Sequence, residues 1–360
     1  KELIFFSYLD NSRSIPSVID GLKPSERKIL YSCFKRKLVN ELKVAQLAGY
    51  VAEHSAYHHG EQSLCMTITA MAQDFVGSNN VNLLMPIGQF GNRYSGGKAA
   101  ASPRYIYTHL NRLARLLFKE NDDGVLVYNV EEGQKIEPVY YVPILPMILI
   151  NGAEGIGTGW STSVPSFDPR DVANNILEKL EGKEFKPMQP WYKGFKGVIE
   201  AKIDANESKT NKNKVAKPDV SESSEAPKAN CLNSFTINGL FRLLPQDFSI
   251  EITELPIRTS ISQYKEFLES NYVDNKENLK KEIEVTDIKE HHSDSNVFFK
   301  VTLNDSSYSK FENMNYALQL KTLKLISSVN TTNLVAFDSN NQIKKFSNST
   351  EILSDFYTKR

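Results

Sequence analysis

The sequence predicts a mixed α+β chain on three observations. Short amphipathic helices follow one another between residues 25 and 75, a glycine-rich stretch interrupts them between 83 and 97, and beyond residue 132 apolar runs of strand type mix with helical ones. At 360 residues the chain exceeds the roughly 100–200 residues of one compact domain. Two units are therefore expected, 1–128 and 129–347, followed by the opening of a further helix at 348–360.

The elements follow in order. Residues 25–38 place Ile29, Leu30, Cys33 and Phe34 on one helical face and Arg27, Lys28, Lys35 and Arg36 elsewhere, directly after Lys23-Pro24. A second helix is expected over 44–52, with Val44, Leu47 and Val51 in register, and a third over 61–75, with Leu64, Ile68 and Phe75 inward. Pro86, Gly88, Gly91, Gly96 and Gly97 then punctuate a loop or hairpin. Helices followed by a basic, glycine-rich hairpin suggest a winged helix-turn-helix. Ser102-Pro103 reads as the cap and first residue of a longer helix with Ile106, Leu110, Leu113 and Leu117 as its core stripe. In the second unit, 139–150, 197–203, 249–255 and 297–303 are extended apolar runs and 262–268 is helical, giving an α+β unit. The tract 204–230 has no Leu, Ile, Met or aromatic residue and is expected to be a disordered insertion, because it cannot bury enough surface to offset chain entropy. Ile352, Leu353, Phe356 and Tyr357 at helical spacing end the chain as if a helix were cut short.

Composition narrows the function. The net charge of zero hides an asymmetry: residues 1–120 carry fifteen Lys or Arg against nine Asp or Glu, a net of +6, so the remainder sums to −6. A basic first unit suits a polyanionic partner, although solvated basic helix faces are also common. Three scattered cysteines, Cys33, Cys65 and Cys231, form no disulfide framework and match no four-ligand zinc signature, which fits a reducing compartment. The longest apolar run, 142–150, contains Pro143 and Pro146 and falls far short of the roughly 20 residues a membrane helix needs, so no membrane partner is expected. Lacking an initial Met or a signal-peptide pattern, the chain reads as an excised fragment.

Four segments bear on chemistry. In Ser102-Pro103-Arg104-Tyr105-Ile106-Tyr107, a helix starting at Pro103 would put Tyr105 where free N–H groups and the dipole favour a phosphate, with Arg104 beside it to support a phenolate nucleophile. Tyr107 would lie about 200° further round and could not share that role. Half of the histidines, His54, His58 and His59, fall within six residues. His54 and His58 are spaced i, i+4, but Gly60 breaks the helix and no third ligand is fixed, so an imidazole donating to a phosphate oxygen suits the basic context better than a metal. Residues 151–160 hold four glycines around Ile156 without the Lys-Ser or Lys-Thr of a phosphate loop, leaving a tight turn or an apolar wedge between base pairs. Arg13-Ser14-Ile15-Pro16 and Asp20-Gly21-Leu22-Lys23-Pro24 form a turn-rich basic stretch before the first helix, and Arg93 and Lys98 add positive charge to the glycine-rich stretch and are expected, with Arg13 and Lys23, to bind a nucleic-acid backbone.

Taken in order, Ser14-Ile15-Pro16-Ser17, Leu42-Lys43-Val44-Ala45-Gln46-Leu47-Ala48, Tyr57-His58-His59-Gly60-Glu61, Phe75-Val76-Gly77-Ser78-Asn79-Asn80, Pro103-Arg104-Tyr105-Ile106 and 151–160 resemble the breakage-reunion region of eukaryotic type IIA DNA topoisomerase II. The likeness is dense to about residue 200 and looser beyond 235, through Glu254-Leu255-Pro256-Ile257-Arg258-Thr259. It implies a winged-helix unit, an α+β tower and the start of a coiled-coil arm. By the same resemblance, Tyr105 would form a 5′-phosphotyrosyl bond, Arg104 would stabilise the charged phosphorus centre and His59 would hydrogen-bond the scissile region. Arg13 and Lys23 would hold the backbone, and Ile156 would intercalate and bend the duplex. The partners implied are double-stranded DNA and a second copy in a homodimer, in the nucleus. The implied cofactors, Mg2+ and ATP, would both be bound outside this chain, which carries no ATPase signature, no acidic metal-binding cluster and no metal ligands of its own. Two alternatives stay open on the residues: a non-catalytic DNA-bending architectural protein, and a nucleotide-binding phosphotransferase using the glycines near Ile156.

Overall fold

A computed structural model describes residues 2–202, 233–273, 283–293 and 295–360. The expected insertion at 204–230 and Cys231 lie outside the described residues.

Helix α1 (Glu2–Ser14) leads through a tight turn into α2 (Pro24–Arg36). Pro24 occupies the first helical turn, the Lys23 N–H donates to Glu26 Oε2 at 2.8 Å, and Lys37 ends the helix in the left-handed region at φ 50°. Helices α3 (Val44–His54) and α4 (Glu61–Ala72) pack on α2 through Ile29, Leu30, Leu47, Val51, Leu64 and Ile68, all fully buried. Each contributes about 1.5–3 kcal/mol. Cys33 is enclosed with them, and burial pushes its thiol up to about 12, so it is a packing residue and no nucleophile.

Between α4 and the next helix the chain folds back on itself. Isolated antiparallel bridges join Leu84 to Leu110, Ile87 to Tyr107 and Phe90 to Ala100. At the tip, a Cβ on Gly91 would stand 2.6 Å from the Gly97 carbonyl oxygen, so only glycine permits the return.

The helix expected from Ser102-Pro103 does not form. Residues 103–105 make a turn closed by the Tyr105 N–H on the Ser102 carbonyl at 2.9 Å, and the short strand β2 (Tyr107–Thr108) follows, pairing antiparallel with β1 (Leu42–Lys43). Tyr-Ile-Tyr-Thr is a β-prone run, and burial alternates along it, Ile106 and Thr108 inward and Tyr107 half exposed. The helix proper is α5 (Arg112–Leu117), capped by Asn111 Oδ1 accepting from the Leu113 N–H at 3.0 Å. Leu113, placed on the expected core stripe, is exposed.

Beyond α5 come the hairpin β3 (Tyr128–Glu131) and β4 (Gln134–Pro138), the buried turn of helix α6 (Met147–Ile150), the hairpin β5 (Ala153–Ile156) and β6 (Ser161–Val164), and α7 (Pro169–Leu180) capped by Asp168. Strand β7 (Val198–Ala201) pairs with β8 (Ser234–Asn238). Strands β9 (Leu240–Leu244) and β10 (Ser249–Glu254) precede α8 (Ile261–Leu268). With β11 (Val285–Glu290) and β12 (Phe299–Leu303) they make an antiparallel sheet of order β11-β12-β10-β9, and α8, α9 (Asp305–Glu312) and α10 (Tyr316–Thr322) supply further side chains to its core. Strand β13 (Ile326–Asn330) completes the β13-β8-β7 sheet, and β14 (Leu334–Phe337) with β15 (Ile343–Phe346) leads to α11 (Ser349–Lys359).

Two main cores result. One joins α2–α4 to Tyr141, α6, Phe167 and Val172 and also takes in Leu334, Phe346, Ile352 and Leu353. The other lies between the four-stranded sheet and α8–α10. The first core gathers early, middle and late segments, from both sides of residue 128. Asn80 fastens this junction: its Nδ2 donates to the carbonyls of Ile150, Phe167 and Trp191 at 2.9–3.2 Å, and its Oδ1 accepts from the Lys193 N–H at 2.8 Å. None of the described helices is long and apolar enough to cross a membrane.

Candidate nucleic-acid interface

Tyr105 stands on the 103–105 turn, 70 % exposed. Its backbone is held against the first turn of α3, where the Val44 and Ala45 N–H groups donate to the carbonyls of Ile106 and Pro103 at 3.0 and 3.1 Å. The helix N-terminus beside Tyr105 is therefore that of α3 and not of a helix of its own. Tyr107 differs in kind: it is half buried in β2 with Lys43 Nζ 6.0 Å from its ring centroid.

Arg104 and Lys98, both exposed, share an open groove of about 980 Å³ whose opposite wall is the Glu61, Cys65, Met66 and Thr69 face of α4. Gln73, at the end of α4, donates to the carbonyls of Phe90 and Gly97 at 2.9 and 3.1 Å and so fixes the glycine-rich loop that carries Lys98. Lys98 also borders a second hollow of about 320 Å³ with Ser78 and Arg258, and Arg258 borders a third of about 420 Å³ with Lys23 and Glu154. Cations thus recur along three adjoining hollows, from Arg104 through Lys98 and Arg258 to Lys23.

Ile156 ends β5 and is 86 % exposed. Its glycines serve close approach of the hairpin to α1: a Cβ on Gly155 would run into the Ser14 carbonyl oxygen, and one on Gly157 into the Asn11 side chain. Asn11 Nδ2 donates to the Thr158 carbonyl at 3.0 Å, and Thr158 Oγ1 donates to Asp10 Oδ2 at 2.7 Å. Lys23 Nζ donates to the Glu154 carbonyl at 2.6 Å, which ties the basic turn before α2 to the same hairpin. Both ends of the hairpin are fixed, and the isoleucine between them projects into solvent.

His59 is exposed, and its pKa lies below the ordinary histidine value, first through partial burial and then through the positive charge of Arg13, with His58 and Lys28 adding to it. The structure therefore brings His59 and Arg13 into electrostatic range of each other, which favours the neutral ring. His54 and His58 do not form a pair. His54 Nδ1 lies 3.0 Å from the Tyr50 carbonyl with its ring stacked on Tyr50, whereas His58 Nε2 lies 3.0 Å from Glu131 Oε1 beyond the end of the helix. Among the described residues no group of three or more His, Cys, Asp or Glu could hold a metal ion.

Arg93 corrects an expectation. Its side chain is 6 % exposed, ion-paired with the buried Glu254, and donates to the Leu255 carbonyl at 3.1 Å. The guanidinium is consumed inside the protein, clamping the glycine-rich loop to the end of β10, and is not offered to a ligand. Charge counting could not separate Arg93 from Lys98 five residues later. Arg258 and Glu154 were not singled out from sequence; only the fold brings the loop after β10 against the β5–β6 hairpin.

A family model described as the DNA gyrase/topoisomerase IV A-subunit matches residues 13–360. DNA topoisomerase 2-alpha of Mus musculus is 47 % identical over 360 residues, covering all of this chain and 21 % of the relative. DNA topoisomerase 2 of Candida albicans is 44 % identical over 357 residues, 99 % of this chain and 22 % of the relative. The chain thus spans about a fifth of the length of these curated relatives. The crystal structure of the Plasmodium falciparum topoisomerase II DNA-binding, cleavage and re-ligation domain superposes with a TM-score of 0.86 at 43 % identity, covering all of this chain and 44 % of that one.

Proposed function

The chain belongs to the DNA gyrase/topoisomerase IV A-subunit family, and from that premise we propose that it is the breakage-reunion part of a nuclear, dimeric type IIA topoisomerase that cuts and reseals double-stranded DNA. The observation that carries this reading is the exposed Tyr105 on a turn next to Arg104, which lines a groove together with Lys98. The Tyr105 phenol oxygen attacks the scissile phosphorus and displaces the 3′ oxygen; the phenol loses its proton, the leaving oxygen gains one, and a 5′-phosphotyrosyl ester replaces the phosphodiester. One phosphoester is exchanged for another, so resealing needs no energy source. Arg104 stabilises the extra charge at phosphorus, and neutral His59 donates a hydrogen bond near the scissile bond. The winged-helix reading gives α3, α4 and the glycine-rich loop their place against the duplex. In this reading Mg2+ and ATP are bound by other parts of the longer protein.

Lys98, Arg104, Lys23 and Arg13 face phosphate rather than base edges in this reading. Four such contacts predict that affinity falls about a hundredfold between 50 and 200 mM salt, with little preference among unrelated duplexes. Fluorescence anisotropy titrations check this. A flat salt response, or thousandfold discrimination between sequences, would reject it.

Ile156 is the wedge. Ile156→Ala is expected to reduce duplex bending, and any cleavage, more than affinity, because removing the side chain forfeits the bend but also the unstacking cost of a few kcal/mol. Energy transfer between dyes at the duplex ends reads the bend. Full bending by the alanine variant would leave Ile156 a hairpin residue only.

A further inference from the structure

We propose that Glu154 is a built-in counter-ion for Arg258, displaced by a DNA phosphate when the duplex is seated, so that phosphate binding at Arg258 frees the Glu154 carboxylate in the strand that carries Ile156. This rests on the duplex-binding reading above.

Arg258 stands at φ 72°, in the left-handed region that non-glycine residues seldom occupy. The turn is held there by the Thr259 N–H donating to the Pro256 carbonyl at 3.1 Å and by Ile257, which is buried beside it. This backbone commits the guanidinium outward: its side chain is 52 % exposed and reaches across to the carboxylate of Glu154, itself 57 % exposed. Among the described residues, Arg258 is also the cation that borders both smaller hollows, between Lys98 on one side and Lys23 on the other.

A carboxylate at this point would repel a phosphate backbone laid along those cations. It costs little in the unbound protein because Arg258 matches its charge. A half-exposed ion pair of this kind is weak, whereas an arginine facing a phosphate makes stronger, two-pronged hydrogen bonds, so exchange of partners is favourable once a duplex arrives. The consequence passes to the wedge, since Glu154 lies two residues before Ile156 in β5. Free of Arg258, the hairpin keeps its ties to α1 and the Lys23 contact on the Glu154 carbonyl.

The test is a double-mutant cycle in the full-length protein, reading 30-base-pair duplex affinity by anisotropy at several salt concentrations without nucleotide. Glu154→Gln is expected to tighten binding about three- to fivefold and to steepen the salt slope by about one, because Arg258 is then free to release a counter-ion. Arg258→Gln is expected to weaken binding by a similar factor, and in that background Glu154→Gln should tighten binding clearly less than it does beside Arg258, since only the carboxylate's repulsion of phosphate is then removed. Equal tightening by Glu154→Gln in both backgrounds would mean a general field effect and overturn the proposal, as would an Arg258→Gln variant with unchanged affinity and slope. Arg258→Lys, which keeps the charge, and coincident unfolding transitions exclude loss of fold as the cause. Failure of the duplex-binding reading would look different: the unmutated protein itself would show no salt-dependent binding.

Discussion

Tyr105→Phe in the full-length protein is expected to abolish covalent capture of DNA while leaving duplex affinity within about threefold. The substitution removes one oxygen and nothing else. The turn that presents the ring is held by main-chain bonds, from the Tyr105 N–H to Ser102 and from α3 to Pro103 and Ile106, and all of these survive. Arg104 and Lys98 keep their groove, so binding persists while the nucleophile is gone. Tyr107 cannot substitute, because it is committed to the β1–β2 pairing beneath Lys43. Trapping the adduct with denaturant after cleavage, followed by peptide mapping, decides the matter. An adduct that persists in the variant, or one mapped to Tyr107, defeats the assignment.

That turn also shows where sequence reading fails. Ser102-Pro103 carries a sound helix-start signal, but the β-prone Tyr-Ile-Tyr-Thr that follows finds a partner strand at Leu42-Lys43, more than sixty residues earlier, and a pairing so remote leaves no local trace. Helices α2, α3 and α4 were legible because each buries a stripe at helical spacing within its own segment. The role of the glycines near Ile156 was half legible: their number marked a constrained backbone, but that Gly155 and Gly157 make room for α1 could be known only once α1 was in place. Arg93 and Lys98 look alike as letters. Burial beside Glu254 separates them, and burial is a property of the assembled core.

The same contrast between charge and burial sets the second large effect, Asp20→Ala. The Asp20 carboxylate is fully buried in the turn before α2 and accepts four hydrogen bonds: from Arg27 Nε at 2.7 Å, Arg27 Nη2 at 3.0 Å, the Leu22 N–H at 3.0 Å and the Tyr141 N–H at 2.9 Å. Alanine leaves the Arg27 guanidinium, itself only 8 % exposed, without its counter-charge and strands two main-chain donors. Breaking a buried pair in this way costs about 3–5 kcal/mol, against at most about 1 kcal/mol for an exposed pair such as Lys183 with Glu181. With typical folding free energies of about 5–15 kcal/mol, that is a large fraction of the total. Urea unfolding should therefore show a lowered midpoint with an unchanged slope. Asp20→Asn, which keeps an acceptor but not the charge, should fall between the two. The loss should also reach the interface, because Lys23, three residues on, relies on the same turn to meet the Glu154 carbonyl. A stability loss below about 1 kcal/mol would mean that Arg27 finds another anion or water, and the turn would then owe its shape to Gly21, whose Cβ would collide with the backbone of Ile148, rather than to the ion pair.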